Sequence, residues 1–199
     1  HAIGDNANRI VLNAYRDALY NYRDPRWRIE HAQVISGEDF ANFNEKIIPS
    51  IQPSHATSDM YWAEERLGEL RIKGAYAYKD LLDWSGRLAL GTDFPVEEVS
   101  PINTFYAAVS RKDLNQYPAD GYQYENALSR REALLGMTIW GAYANFEDSL
   151  KGSISPGKYA DFVILDRDIM EIDADKILSA RVVATILNGE IVHSTRFNN

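Results

Sequence analysis

Three short strand-like runs in this chain each lead to a side chain able to bind protons or metals, and each is followed by a helix-like stretch. They are RWRIEHA from Arg26, SIQPSH from Ser50 and RLALGTD from Arg87, and they place His31, His55 and Asp93 at or just past their C-terminal ends. Strands alternating with helices predict a parallel sheet, because parallel neighbours need a long crossover and a helix supplies it. His1 stands in the same relation to the helix-like stretch 6–22, which therefore has no strand of its own. The arrangement looks like the second half of a (β/α) barrel.

The intervening segments carry their own signals. Ile10, Leu12, Tyr15, Leu19 and Tyr22 are close to helical spacing, and Asp24-Pro25 ends that run. Ser36 with Asp39 predicts a capping box opening a helix over 37–47, with Pro49 as its stop. A longer helix is expected over 64–84 with Gly86 as its C-cap, and another over 102–111. Ser129 with Glu132 predicts a capped amphipathic helix over 131–146. After about residue 150 the texture changes to turn residues, a buried strand in ADFVILDRD and a hairpin at Asn188-Gly189. The chain thus reads as α/β over 1–150 and all-β over 151–199.

Composition narrows the functional classes. With 21 Lys+Arg against 29 Asp+Glu the net charge is −8, and no basic stripe offers itself to nucleic acid. The absence of cysteine excludes disulfides, thiolate metal sites and cysteine nucleophiles. No apolar run approaches the ~18 residues of a membrane helix. The compartment stays open, since any targeting segment would lie upstream of His1.

The rim formed by the C-terminal ends of parallel barrel strands is where metal-binding and catalytic side chains converge. His1, His31, His55 and Asp93 occupy four such positions, separated by 30, 24 and 38 residues. Imidazole nitrogen and carboxylate oxygen suit zinc, manganese or iron, in sites that leave one position for water. A neighbouring carboxylate can take the proton from that water. Each residue also has a plainer reading: a histidine after a strand as a loop hydrogen bonder, Asp93 as an Asx-turn residue. His193, in the terminal hairpin, is read as structural or exposed.

HAIGDNA, RIEHAQ, SIQPSHATSD, LALGTDFPVE and GSISPGKYADFVILDRD, in that order along essentially the whole chain, resemble the metal-dependent amidohydrolase superfamily. The resemblance is to its amidohydrolase-3 group, which includes the YtcJ-like proteins and the N-substituted formamide deformylases. It implies a TIM-type (β/α)8 barrel, of which this chain supplies strands six to eight with their helices, and the C-terminal part of a small β-sandwich. It implies a divalent metal, zinc before iron or manganese, as one or two ions in the parent protein. His1 and His31 match metal ligands after strands five and six. Asp93 matches the strand-eight aspartate that touches metal and acts as general base. His55 matches the strand-seven histidine, expected to face substrate or oxyanion. Asp5 would lie behind the ligands or cap a helix, and Asp59, Trp62 and Arg66 would shape the pocket or pack a helix start. The implied reaction is hydrolysis of a small amide, formamide or cyclic imide at its C–N bond.

The chain also departs from the family pattern. It contains no His-x-His pair and no lysine in the place of the carboxylated strand-four ligand, so these are expected upstream of His1. On that reading the chain is a C-terminal fragment, inactive by itself, with His1 frayed and two sheet edges inviting self-association. The alternative is a non-catalytic binding or regulatory protein that keeps the barrel.

Overall fold

The computed structural model describes residues 1–195, so the last four residues of the expected 151–199 segment lie outside the described residues. The first sheet is parallel, with β1 (Trp27–Glu30), β2 (Ile47–Ile51) and β3 (Ala89–Leu90) in that spatial order. Trp27 pairs with Ile47 and Glu30 with Ser50, while Ile51 pairs with Leu90. Ile29, Ile47 and Ile51 belong to the main core, whereas Ile48 packs on the opposite side with Ala89 and Ala144. Burial on both faces is the normal state of a parallel sheet, and each such isoleucine contributes roughly 1.5–3 kcal/mol by leaving water.

α1 (Asp5–Ala18) precedes the sheet and ends four residues before the sequence pattern suggested. Its inward face is Asn8, Leu12, Tyr15 and Leu19, at the 3–4 residue spacing of one helix side; Ile10 and Tyr22, expected on that face, are exposed. Between β1 and β2 the expected helix over 37–47 is absent and only a 3-10 turn, Phe40–Asn42, forms. Asp39 accepts a hydrogen bond from Arg9 Nε at 2.8 Å, so its carboxylate serves α1 instead of closing a capping box with Ser36. Pro49, expected as a helix stop, is the middle residue of β2 opposite Ile29.

After β2 come α2 (Pro53–Asp59), α3 (Ala63–Arg71) and α4 (Tyr78–Ser85). The single helix expected over 64–84 is broken, first at Gly68 and then by a 3-10 turn, Ile72–Gly74. A Cβ on Gly74 would sit 1.9 Å from the Ile35 carbonyl oxygen, so only glycine lets this turn approach closely enough for Ile35 N–H to reach its carbonyl at 2.8 Å. Gly86 closes α4 with φ 72°, as expected of a C-cap. β3 is followed by α5 (Pro101–Ser110), α6 (Arg130–Met137) and α7 (Ile139–Ala144). The Ser129–Glu132 capping box is present, but the helix it opens breaks at Thr138 into α6 and α7.

The second sheet is antiparallel, β4 (Phe162–Leu165), β5 (Val182–Leu187) and β6 (Glu190–Ser194). Asn188 and Gly189 both have positive φ, 50° and 86°, the type I′ geometry that matches strand twist. The connection from β4 to β5 returns to the first core: Ile177 is fully buried in it, and Arg130 donates to the Ile169 and Ile172 carbonyls. No helix among the described residues is long and apolar enough to cross a membrane.

Candidate metal centre

The parallel strands end at one place. His31 follows the last residue of β1, and its N–H is held by the Ser50 carbonyl of β2 at 2.8 Å. His55 lies in the first turn of α2, directly after β2, with its N–H on the Gln52 carbonyl at 3.0 Å. Asp93 stands just beyond β3. One ligand atom from each of His31, His55 and Asp93 lies within 4.8 Å of the others. The two imidazoles are buried and stacked, with ring centroids 6.0 Å apart, and Asp93 is exposed.

The backbone at these positions is unusual. His31, Ala32 and Asp93 have φ of 76°, 43° and 56°, in the left-handed region that L side chains rarely adopt. Holding non-glycine residues there costs of order 1–3 kcal/mol each, and such strain concentrates at functional sites.

His1 is exposed, and the residue after it is paired. Ala2 is buried, forms a parallel bridge with His31 and donates its N–H to the Glu30 carbonyl at 3.0 Å. The side-chain amide of Asn8 then ties the turn down, donating to the carbonyls of Ala2, Gly4 and Val34 at 3.1 Å each. His1 Nδ1 accordingly lies 3.0 Å from His31 Nε2.

Two partners missed in the sequence complete the cluster. Gln52 Oε1 is 2.9 Å from His31 Nδ1, and Glu97 Oε1 is 2.9 Å from His55 Nδ1. His55 Nε2 lies 3.6 Å from Asp93 Oδ2. Both partners sit inside runs already notable for their histidine or aspartate, SIQPSH and GTDFPVE, which is the signal that could have found them.

The remaining expected residues are farther from the cluster's bonding. Asp59 accepts from Tyr76 Oη at 2.8 Å and from Gln33 Nε2 at 3.3 Å. Burial lifts its carboxyl above the ordinary aspartate range, against the lowering pull of the Tyr76 hydroxyl and His55. Tyr76 is pushed up in turn, by burial and by Asp59. Asp5 opens α1, where a carboxylate suits the helix dipole, and its Oδ1 receives the Asn6 N–H; Gly4, not Asp5, is the N-cap. It lines a separate cavity of about 520 Å³ with Ser36, Arg71 and Lys73. Trp62 precedes α3 half-exposed and Arg66 lies within α3; neither side chain hydrogen bonds to His31, His55 or Asp93. His193 is exposed in β6, as expected.

The donor set fits a divalent cation. Imidazole nitrogens and a carboxylate are ligands of borderline-soft ions such as zinc, each histidine has its other ring nitrogen bonded to an outer acceptor, and the exposed carboxylate leaves a side open to solvent.

Comparison with known proteins agrees with this chemistry. Residues 1–193 match the profile of the amidohydrolase family. The chain is 37% identical over 198 residues to Protein LONG AFTER FAR-RED 3 of Arabidopsis thaliana, covering 96% of this chain and 33% of that protein. It is 33% identical over 195 residues to the putative amidohydrolase YtcJ of Bacillus subtilis, covering 97% and 36% respectively. The crystal structure of an uncharacterized metal-dependent hydrolase from Pyrococcus horikoshii superposes with a TM-score of 0.74 at 32% identity, covering 87% of this chain and 34% of that one. The chain thus spans about a third of the length of these relatives.

Proposed function

The chain belongs to the amidohydrolase family, and from that premise we propose that the whole protein hydrolyses the C–N bond of a small amide, formamide or cyclic imide. In this reading the parallel sheet is strands six to eight of a (β/α)8 barrel occupying 1–150, and 151–199 contributes the C-terminal part of a β-sandwich. The observation that carries the reading is the convergence of His31, His55 and Asp93 within 4.8 Å at the ends of three successive parallel strands.

A bound divalent ion, zinc before iron or manganese, would supply Lewis acidity for the carbonyl and a water acidic enough to act at neutral pH. His1, His31 and Asp93 would hold it, and His55 would face the substrate. Asp93 takes the proton from the attacking water as the C–O bond forms, and delivers it to the nitrogen as the C–N bond breaks. The left-handed backbone at His31 and Asp93 aims their side chains before substrate arrives, so orientation is already in place. Asp59, Trp62, Arg66 and Asp5 are assigned to the pocket wall or to support behind the ligands.

A second reading of the ligand set rests on one observation: His55, not His1, joins His31 and Asp93 in the compact cluster. There His55 is a ligand and His1 supports His31.

Asp93→Asn in the active whole protein tests the reaction. A fall in kcat of at least ~100-fold with substrate affinity kept is expected of a lost general base; full retained activity would overturn the assignment. The isolated chain is further expected to self-associate through its open sheet edges. Light scattering checks this, and a monodisperse monomer would refute it.

A further inference from the structure

Gln52 and Glu97 touch the two buried histidines at Nδ1, and the hydrogen bonds around them leave little choice of proton position there. The Gln52 amide nitrogen is committed to the Ser50 carbonyl at 3.2 Å. Its oxygen therefore faces His31 Nδ1, and only a protonated Nδ1 satisfies that contact. The residue itself is fixed, being buried, with its backbone carbonyl receiving both Tyr78 Oη at 2.9 Å and the His55 N–H. Glu97 Oε1 faces His55 Nδ1 while also accepting from Ser58 Oγ at 2.6 Å. A carboxylate has no proton to give, so His55 Nδ1 is the donor.

We infer that Gln52 and Glu97 are positioning residues that hold His31 and His55 as Nδ1–H imidazoles, so that both present a bare Nε2 to the cation site. His31 Nε2 then receives the Nδ1–H of His1 at 3.0 Å when no cation is present. His55 Nε2 lies 3.6 Å from the Asp93 carboxylate, so a cation bound there would meet both groups. The two outer residues thus select the nitrogen and pre-orient the ring, which is how partners behind a metal site raise affinity. Both act wherever His55 serves, as ligand or toward substrate. The inference rests on the metal-site reading above only for its affinity consequence, because the tautomer itself is a property of the metal-free protein.

The test uses zinc titration together with nitrogen-15 correlation spectra of the histidine rings in alkaline buffer, where imidazoles are neutral. In the metal-free protein His31 and His55 are expected to show the Nδ1–H pattern. Gln52→Met and Glu97→Leu, which remove the acceptors, are expected to shift the corresponding ring toward the Nε2–H tautomer and to weaken zinc binding by roughly 10–100-fold. Gln52→Glu and Glu97→Gln keep an acceptor and are expected to restore both readouts, which a merely structural loss would not allow. Unshifted ring spectra in Gln52→Met and Glu97→Leu would overturn the inference, as would failure of the conservative variants to rescue them. If the wild type shows the Nδ1–H pattern yet binds no zinc, the tautomer assignment stands and the metal reading fails instead.

Discussion

The two sheets among the described residues make opposite use of apolar residues. In the parallel sheet Ile29, Ile47, Ile48 and Ile51 are at most 2% exposed, on both faces. In the antiparallel sheet Val163, Ile164, Ile191 and Val192 are each at least half exposed. The first sheet can therefore bear strained backbone at its end, at His31, Ala32 and Asp93, because tightly packed strands over-determine where the chain must go. The second holds its positive φ angles at Asn188 and Gly189, residues of a turn that adopts them readily. Rigidity sufficient to aim ligands comes from burial on both faces, and only one sheet has it.

That contrast can be broken by substitution. Ile51→Ala, beneath the candidate site, is expected to lower unfolding free energy by about 2–5 kcal/mol, the usual cost of a cavity in a closed core. Val192→Thr, on the open face of β6, is expected to stay within about 0.5 kcal/mol of wild type. Chemical denaturation of both variants measures the difference, and comparable losses would mean that the antiparallel face is covered after all.

A smaller effect sharpens the comparison from the side of charge. Asp59 is half-buried beside the site, and its folded pKa is raised. The folded state therefore holds its proton more tightly than the unfolded chain. Stability from that proton is fully present below the ordinary aspartate pKa and is lost as pH rises through the raised value. Asp59→Asn cannot ionise and should flatten this acid-side slope, while still accepting the Tyr76 hydroxyl. Denaturant midpoints followed across the acidic range test it; an unchanged slope would show that burial of Asp59 has no thermodynamic consequence.

Much of the site was legible along the chain. His31, His55 and Asp93 follow short strand-like runs, and such a run that ends on a polar residue before a helix marks a strand end wherever it lies in the fold. Gln52 and Glu97 were not legible in the same way, since a glutamine and a glutamate in loops are usually solvated and only their distance to an imidazole gives them meaning. The missing helix over 37–47 failed for a related reason: Ser36 and Asp39 have the spacing of a cap, but Arg9, distant in sequence, claims the carboxylate. The Ala2 bridge to His31 and the Asn8 amide that holds the Ala2 carbonyl were equally illegible, because each joins residues from different parts of the chain.

The sequence by itself determined the alternation of strands and helices, the polar residue closing each strand, the cap at Ser129, the stop at Gly86 and the turn at Asn188-Gly189. These depend on interactions within a few residues, where spacing fixes geometry. Only the tertiary structure decided that His55 rather than His1 lies beside Asp93, which groups meet the two ring nitrogens of each buried histidine, and where the long helices break. Those outcomes depend on groups brought together across the chain, whose competition for one carboxylate or one carbonyl has no signature in local order.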